Sequence, residues 1–395
     1  MKFNKWTMGL AAVGVVSLAS AARADETKMS QVQTALSNTT LSGYVDTAAQ
    51  WNLGSQNGGA TPATRGLIGN AGNADGFTLN AVDIAIDKPQ DETPWAAGYH
   101  VELMDGPSSI GGPGNFASIR QAYLALRTPV GNSAIDWKVG VWDTIIGYES
   151  SSDPSNPNYT RSYGYGIEPT THTGILGTFK INDMFTVQAG VANGSNLGGA
   201  SPAGVNGLAV QETQKAYMGA VAFTAPDSWG WAKGTTINAG IINADDSGAG
   251  GFNAGTTSFY AGATVPTPLT ALKVGIAFDY ADYHHGGLGA GVNGSQSVIG
   301  FYGNYQYNDK LSFNGRFEHL ENNFAGVTPA DDEFTATVQY ALWANVLSRV
   351  EFRWDHVEDH NAFDNSSLYS GFGLGGPSPV HNNAYLLALN LIYQF

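Results

Sequence analysis

The chain has 395 residues, a formal net charge of −15 and no cysteine. An acidic balance of this size argues against a nucleic-acid partner, whose backbone demands a basic footprint, and the missing thiols exclude a disulfide framework and cysteine chemistry. Charged residues are only 13%, aromatics reach 11% and glycine numbers 51, a balance unsuited to apolar helical spans and suited to strands that alternate apolar and polar side chains.

Lys2 and Lys5 precede an apolar run from Trp6 to Leu18, closed by Ala22-Arg23-Ala24. The run is too short to cross a bilayer as a helix, and its small-x-small end is that of a secretory signal. We expect residues 1–24 to form a signal peptide, residues 25–40 a short periplasmic segment, and residues 41–395 one barrel domain. The expected destination is the outer membrane of a Gram-negative-type bacterium, reached through the periplasm.

From Leu41 onward nearly every segment alternates. Val82, Ile84 and Ile86 oppose Asp83, Ala85 and Asp87; Leu272, Val274, Ile276, Phe278 and Tyr280 oppose Lys273, Gly275, Ala277 and Asp279. Val350, Phe352 and Trp354 oppose Arg349, Glu351, Arg353 and Asp355. This period of two is the strand signal. It recurs in about sixteen segments of bilayer-crossing length, near 41–52, 78–89, 95–105, 119–129, 134–147, 171–181, 184–193, 214–225, 235–245, 256–266, 272–284, 297–308, 311–321, 333–343, 346–358 and 383–395.

The connections sort by length. Short ones ("KPQDETP", "TPVGNS", "IND", "PTPLTA", "YND", "WAN") alternate with long ones at 53–77, 105–118, 148–170, 194–213 and 358–382. An antiparallel up-and-down β-barrel threaded through an outer membrane has this pattern, with short turns on one side and long loops on the other. The fold class is therefore all-β, a transmembrane barrel. Tyr385, Leu387, Leu389, Leu391, Tyr393 and Phe395 share one parity. Hydrocarbon tolerates no open sheet edge, so this strand must close on the first one, near "LSGYVDTAAQ", and turn its apolar face to lipid.

Inward parity falls on Lys138, Arg316, Glu318, Arg349, Glu351 and Arg353, and polar or small residues such as Gly98, Gly140, Gly190 and Gly275 share that side. Polar inward parity throughout predicts a water-filled lumen, and an excess of carboxylates favours cations.

"RQAYLAL" at Arg120–Leu126 and "IDWKVGVWDTIIGYES" resemble strands of the sixteen-stranded general porins. "GYES…NYTRSYGYGIEPTTHTG" is more similar to the OmpL-like family of β-barrel porins. The resemblance is concentrated in residues 119–175. It implies a passive outer-membrane channel, a trimer, a third long loop that folds into the barrel, and a terminal aromatic signal (here Tyr393 and Phe395) read by the barrel-insertion machinery. By position in that loop, Glu149, Asp153, Arg161 and Glu168 are expected near a constriction, facing the inward charges of the wall across a narrow pore. Charges of both signs there would order polar solutes and reject apolar ones.

Some readings stay open. Porin resemblance points Arg120 inward, whereas parity with Leu124 and Leu126 turns it to the outer interface, where it could snorkel. Tyr163 and Tyr165 with Trp137 and Trp142 could form a sugar slide, against the default of girdle aromatics. An enzyme would need a nucleophile and base together; His284-His285 and "HVEDH" (His356, Glu358, Asp359, His360) are the places to look, but they sit at strand ends without preset ligand geometry. "ADDSGAGGFN" reads as an outer loop, and an adhesive barrel would carry longer loops. The expectation is a non-catalytic porin for small hydrophilic solutes, mildly favouring cations, with no cofactor or metal and with outer-membrane lipid around it.

Overall fold

In a computed structural model, residues 39–53, 75–106, 119–194, 215–247, 253–284, 293–324, 328, 330–358 and 383–395 are described. The expected signal peptide, nearly all of the lead-in, His285, Asp359, His360 and the interiors of four long connections (53–77, 105–118, 194–213, 358–382) lie outside these residues.

The described residues form sixteen strands: β1 (Thr40–Leu53), β2 (Gly76–Lys88), β3 (Ala97–Asp105), β4 (Ile119–Val130), β5 (Ser133–Asp143), β6 (Thr171–Lys180), β7 (Phe185–Ala192), β8 (Ala216–Thr224), β9 (Thr236–Ser247), β10 (Asn253–Pro266), β11 (Leu272–His284), β12 (Gly294–Gln306), β13 (Leu311–Phe324), β14 (Ala330–Trp343), β15 (Val346–Val357) and β16 (Asn383–Gln394). Each pairs antiparallel with its sequence neighbours, and β16 pairs with β1 to close the barrel. Closure runs to the last residue: Gly43 N–H donates to the Phe395 carbonyl at 3.1 Å and Phe395 N–H to the Gly43 carbonyl at 3.0 Å. No edge is left to face hydrocarbon.

The two faces follow the alternation. On β16 Tyr385, Leu389, Leu391 and Tyr393 are exposed, whereas Ala384, Leu386, Ala388, Asn390 and Ile392 are buried. Phe313 and Phe317, Phe334 and Val338, and Val350 and Phe352 are likewise outward on β13, β14 and β15. Tight turns join β4 to β5 through Gly131, at φ 58°, and β14 to β15 through Asn345, at φ 68°; left-handed backbone suits glycine and asparagine.

Two expectations are corrected. The fifth strand stops at Asp143 rather than reaching residue 147, because Ile145 and Ile146 leave the sheet and bury inside the barrel. The inner face is also not polar throughout. Leu176, Met218, Ile242, Ala216 and Ala244 make the wall of β6, β8 and β9 apolar, and they pack with Trp142, Ile145 and Ile146. Parity alone did not show this, since a strand buried on both faces carries apolar residues at both parities.

Register shifts re-aim two side chains. Between β3 and β4, Glu102 pairs with Gln121 but Leu103 pairs with Ile119, leaving Arg120 as the extra residue of a β-bulge. Both Arg120 and Gln121 then reach inward while Leu124 and Leu126 remain on the lipid face. The conflict over Arg120 dissolves, because a bulge breaks the period of two. Between β1 and β2, Asn80 is skipped in the same way and donates to Asp46 at 2.8 Å.

Candidate pore constriction

The connection from β5 to β6 folds into the barrel. Its roots are tied by Thr144 N–H donating to the Thr170 carbonyl at 2.9 Å. Ile145 and Ile146 then carry the chain onto the apolar inner wall. Gly147 follows at φ 115°, where a Cβ would run into the Glu168 carboxylate; only glycine takes this turn without strain. Tyr148 stacks on Tyr302 with ring centroids 3.9 Å apart, shares a 3.0 Å hydrogen bond with Thr264, and covers Gly275.

Beyond Tyr148 the loop turns polar and meets β13, β14 and β15. Arg316 donates through Nη1 to Glu149 at 2.6 Å and to the Thr160 carbonyl at 2.8 Å, and through Nη2 to the Arg161 carbonyl at 3.1 Å. Its Nε holds Glu333 at 3.0 Å. Arg349 donates to the Asp153 carbonyl at 3.2 Å and to that of Asn156. Arg353 donates to the Arg161 carbonyl at 2.6 Å and to Asp355 at 2.7 Å.

The wall carboxylates take the loop's amides. Glu351 accepts from Tyr159 N–H at 2.5 Å and Thr160 N–H at 2.8 Å. Glu318 accepts from Tyr163 N–H at 2.5 Å and Gly164 N–H at 3.3 Å. Those amides open a helical turn, α1 (Tyr163–Ile167), whose first N–H groups have no acceptor within the helix; Ser162 caps a third, Tyr165 N–H, at 2.9 Å. Guanidiniums thus satisfy carbonyls and carboxylates satisfy amides where backbone would otherwise be buried without partners.

Asp153 pairs with Arg161 at 2.5 Å, and Arg161 also donates to the Ser151 carbonyl. Tyr163 donates to Asp355 at 2.8 Å, and Tyr159 to Gln50 at 3.0 Å. Glu168 lies against Asp279 of β11; burial, and then that neighbouring carboxylate, push its pKa well above the usual carboxylate range.

The expected constriction residues therefore fall into two groups. Glu149, Asp153, Arg161, Arg316, Glu318, Arg349, Glu351 and Arg353 come together, with Glu168 at the loop's far root. They touch directly instead of facing each other across open space, because charges this deeply buried need partners to offset desolvation. Lys138 stands apart on β5, its Nζ 4.6 Å above the Tyr123 ring. Tyr393 is exposed on the outer face beside Phe395, rings 6.5 Å apart.

Glu333, Asp355, Asn156 and Tyr159 were missed. Asp355 shares the inward parity of Arg349, Glu351 and Arg353 on β15 and was legible in the alternation; Glu333 becomes visible only through its pairing with Arg316. The proposed sugar slide has no continuous row of faces. Tyr163 and Trp142 are buried, Trp137 turns outward with Leu126, and Arg161 covers Tyr165 at 5.5 Å.

Lys138 belongs to a second polar set on β2–β5. His100 lies between Asp87 at 3.1 Å and Glu102 at 3.4 Å, and stacks on Tyr123. Arg120 bridges Glu102 and Asp143. Nearer the short turns, Arg127 pairs with Asp136 at 3.0 Å. Among the described residues, thirteen buried carboxylate side chains accompany six buried arginines, so the interior is net acidic.

The fold has counterparts. OmpT of Vibrio cholerae superposes with a TM-score of 0.58 at 12% identity, over 93% of this chain and all of the other. The outer-membrane channel DcaP of Acinetobacter baumannii gives 0.59 at 10% identity, over 93% and 100%. An anion-selective porin from Comamonas acidovorans gives 0.56 at 10%, over 90% and 99%. Identities this low speak to the fold alone. No curated protein sequence matches the chain. The family described as "Putative beta-barrel porin-2, OmpL-like" matches residues 38–395. A closed barrel with an inward third loop and this family match lead to one conclusion: the chain belongs to the OmpL-like β-barrel porins, a family of outer-membrane channels.

Proposed function

We propose that the protein is a passive diffusion channel for small hydrophilic solutes and ions, mildly favouring cations. The observation that carries this reading is the path of the third loop. It is held against the inner wall from β8 round to β16 and β1, where Asp153 N–H donates to Tyr44 and Tyr159 to Gln50, and it reaches β2 at Asn80. Among the described residues the second charged set, on β2–β5, forms no ion pair with it. Solutes would pass between the loop and the β2–β5 wall, where Asp83, Asp87, Glu102 and Asp143 stand with Arg120, Lys138 and His100, in an interior whose buried carboxylates outnumber its buried arginines. A net acidic path enriches cations and repels anions.

On this reading Glu149, Asp153, Arg161, Glu168 and the wall residues Arg316, Glu318, Arg349, Glu351 and Arg353 act by fixing the loop, and Lys138 lines the path. The Sec-type leader would direct export, Tyr393 and Phe395 would be read by the insertion machinery, and three copies would assemble in the membrane. The test is single-channel recording of refolded protein in a planar bilayer, with reversal potential under a salt gradient. Ohmic steps grouped in threes with a cation-selective reversal are expected. Folded, inserted protein that leaves the membrane silent would overturn the channel reading, and an anion-selective reversal would overturn the charge assignment.

A further inference from the structure

The outer surface of the barrel carries a cluster that the channel reading does not use. It lies at the end of β13, β14 and β15 away from the short turns. His319 of β13 sits directly opposite Asp332 of β14 in the ladder. Glu358, just past β15, extends that ladder through its N–H to the Ala330 carbonyl at 2.9 Å. His319 shares the outward parity of Phe317, so the cluster stands just beyond an outward row of Phe317, Phe334 and Trp354.

One ligand atom each from His319, Asp332 and Glu358 falls within 4.8 Å of the other two. His319 Nδ1 is 2.9 Å from Asp332 Oδ1, and its Nε2 is 3.6 Å from Glu321 Oε1. Three carboxylates thus gather about one imidazole, and among the described residues no lysine or arginine forms an ion pair with any of them.

We propose that His319, Asp332 and Glu358 bind a divalent cation of the class that accepts imidazole and carboxylate together, with zinc as the representative ion. A tetrahedral zinc bonded at about 2.0–2.2 Å to each ligand sets neighbouring ligand atoms about 3.3–3.6 Å apart. The ion would take the place of the proton between His319 Nδ1 and Asp332 Oδ1, which need part by only a few tenths of an ångström from 2.9 Å, and the exposed Glu358 side chain has only to rotate inward. Mixed nitrogen and oxygen donors favour zinc or manganese over calcium or magnesium. Glu321, within reach of the other imidazole nitrogen, would orient the ring from the second side. The ion would join three adjacent strands at the rim and offset a local excess of negative charge. This proposal is independent of what the lumen conducts.

The experiment is calorimetric titration of zinc chloride into the full-length, tag-free barrel, refolded in detergent and stripped with a chelator. One ion per chain is expected, with affinity lowered at least tenfold by His319→Gln and also lowered by Glu358→Gln. His284→Gln, at the end of β11, should leave it unchanged. Folding of each variant is checked by heat-modifiable electrophoretic mobility; should His319→Gln fail to fold, Glu358→Gln makes the same discrimination. Absence of binding to the folded wild type, or wild-type affinity in a folded His319→Gln or Glu358→Gln variant, overturns the site.

Discussion

Arg316 and Glu149 meet at 2.6 Å with both side chains withdrawn from solvent, joining the middle of β13 to the root of the third loop. The same guanidinium holds Glu333 and two loop carbonyls. One side chain therefore satisfies both a wall and the segment lying on it. Removing it should leave Glu149 without its cation and Glu333 with only Arg353, at 3.9 Å, at a cost of about 3–5 kcal/mol. Arg316→Met is expected to lower the unfolding midpoint and make single-channel current noisy as the loop comes free. Adding Glu149→Gln should recover part of the loss, a coupling measurable in a double-mutant cycle.

Glu168 gives a pH dependence with a definite sign. Its folded pKa is raised by burial and by Asp279, so the folded state holds a proton that the unfolded chain releases. Its contribution to stability is present below the unfolded carboxylate pKa, about 4.3, and falls as pH rises through the range up to the folded value. Glu168→Gln should leave stability near pH 4 unchanged and raise it at pH 7. Thermal unfolding midpoints across this range, compared between the two proteins, check the expectation.

Gly275 leaves the space that Tyr148 occupies. A Cβ there would strike the Tyr148 ring, so Gly275→Val should displace the ring from Tyr302 and Thr264 and shift the loop away from β11. The outward face of β11 is untouched and the barrel should still assemble. Conductance is expected to change while heat-modifiable mobility stays that of a folded barrel; unchanged conductance would mean the loop's root does not set the path.

Asp87 on β2 belongs to the second polar set, 3.1 Å from His100. Asp87→Asn removes one negative charge without changing shape. The reversal potential under a salt gradient should move toward zero, and Lys138→Ala should move it the opposite way.

Deleting Phe395 removes both hydrogen bonds that join it to Gly43. Unpaired backbone groups beside hydrocarbon cost several kcal/mol each. The truncated chain should yield a smaller folded fraction on refolding into lipid, read as loss of heat-modifiable mobility. Phe395→Ala keeps the backbone bonds and separates that effect from the aromatic ring's.

Some of the site was written in the alternation and some was not. Arg349, Glu351 and Arg353 read as inward on β15, and they are inward; Asp355 follows them on the same parity. Which of them would hold a carbonyl, an amide or another side chain was not legible, because that depends on where a loop nearly two hundred residues earlier comes to rest. Arg120 could not be placed, since one bulged residue reverses every inference from parity before it. The cluster at His319 was invisible for a related reason. "HVEDH" drew attention to His356 and His360 at helical spacing, whereas Glu358 finds its neighbours across strands, at positions set by register.

By itself the sequence determined that there are about sixteen strands, the lipid-facing side of those that alternate cleanly, such as β11, β15 and β16, and the need for the last to meet the first. Those follow from a period of two and from the rule that hydrocarbon leaves no backbone group unpaired, both local to each segment. Only the tertiary structure decided that Ile145 and Ile146 cover an apolar inner wall, that Arg316 reaches Glu149, and that Arg120 turns inward with Glu102 and Asp143. Each is a meeting of residues far apart in the chain, and register and loop path, which no single segment encodes, bring them together.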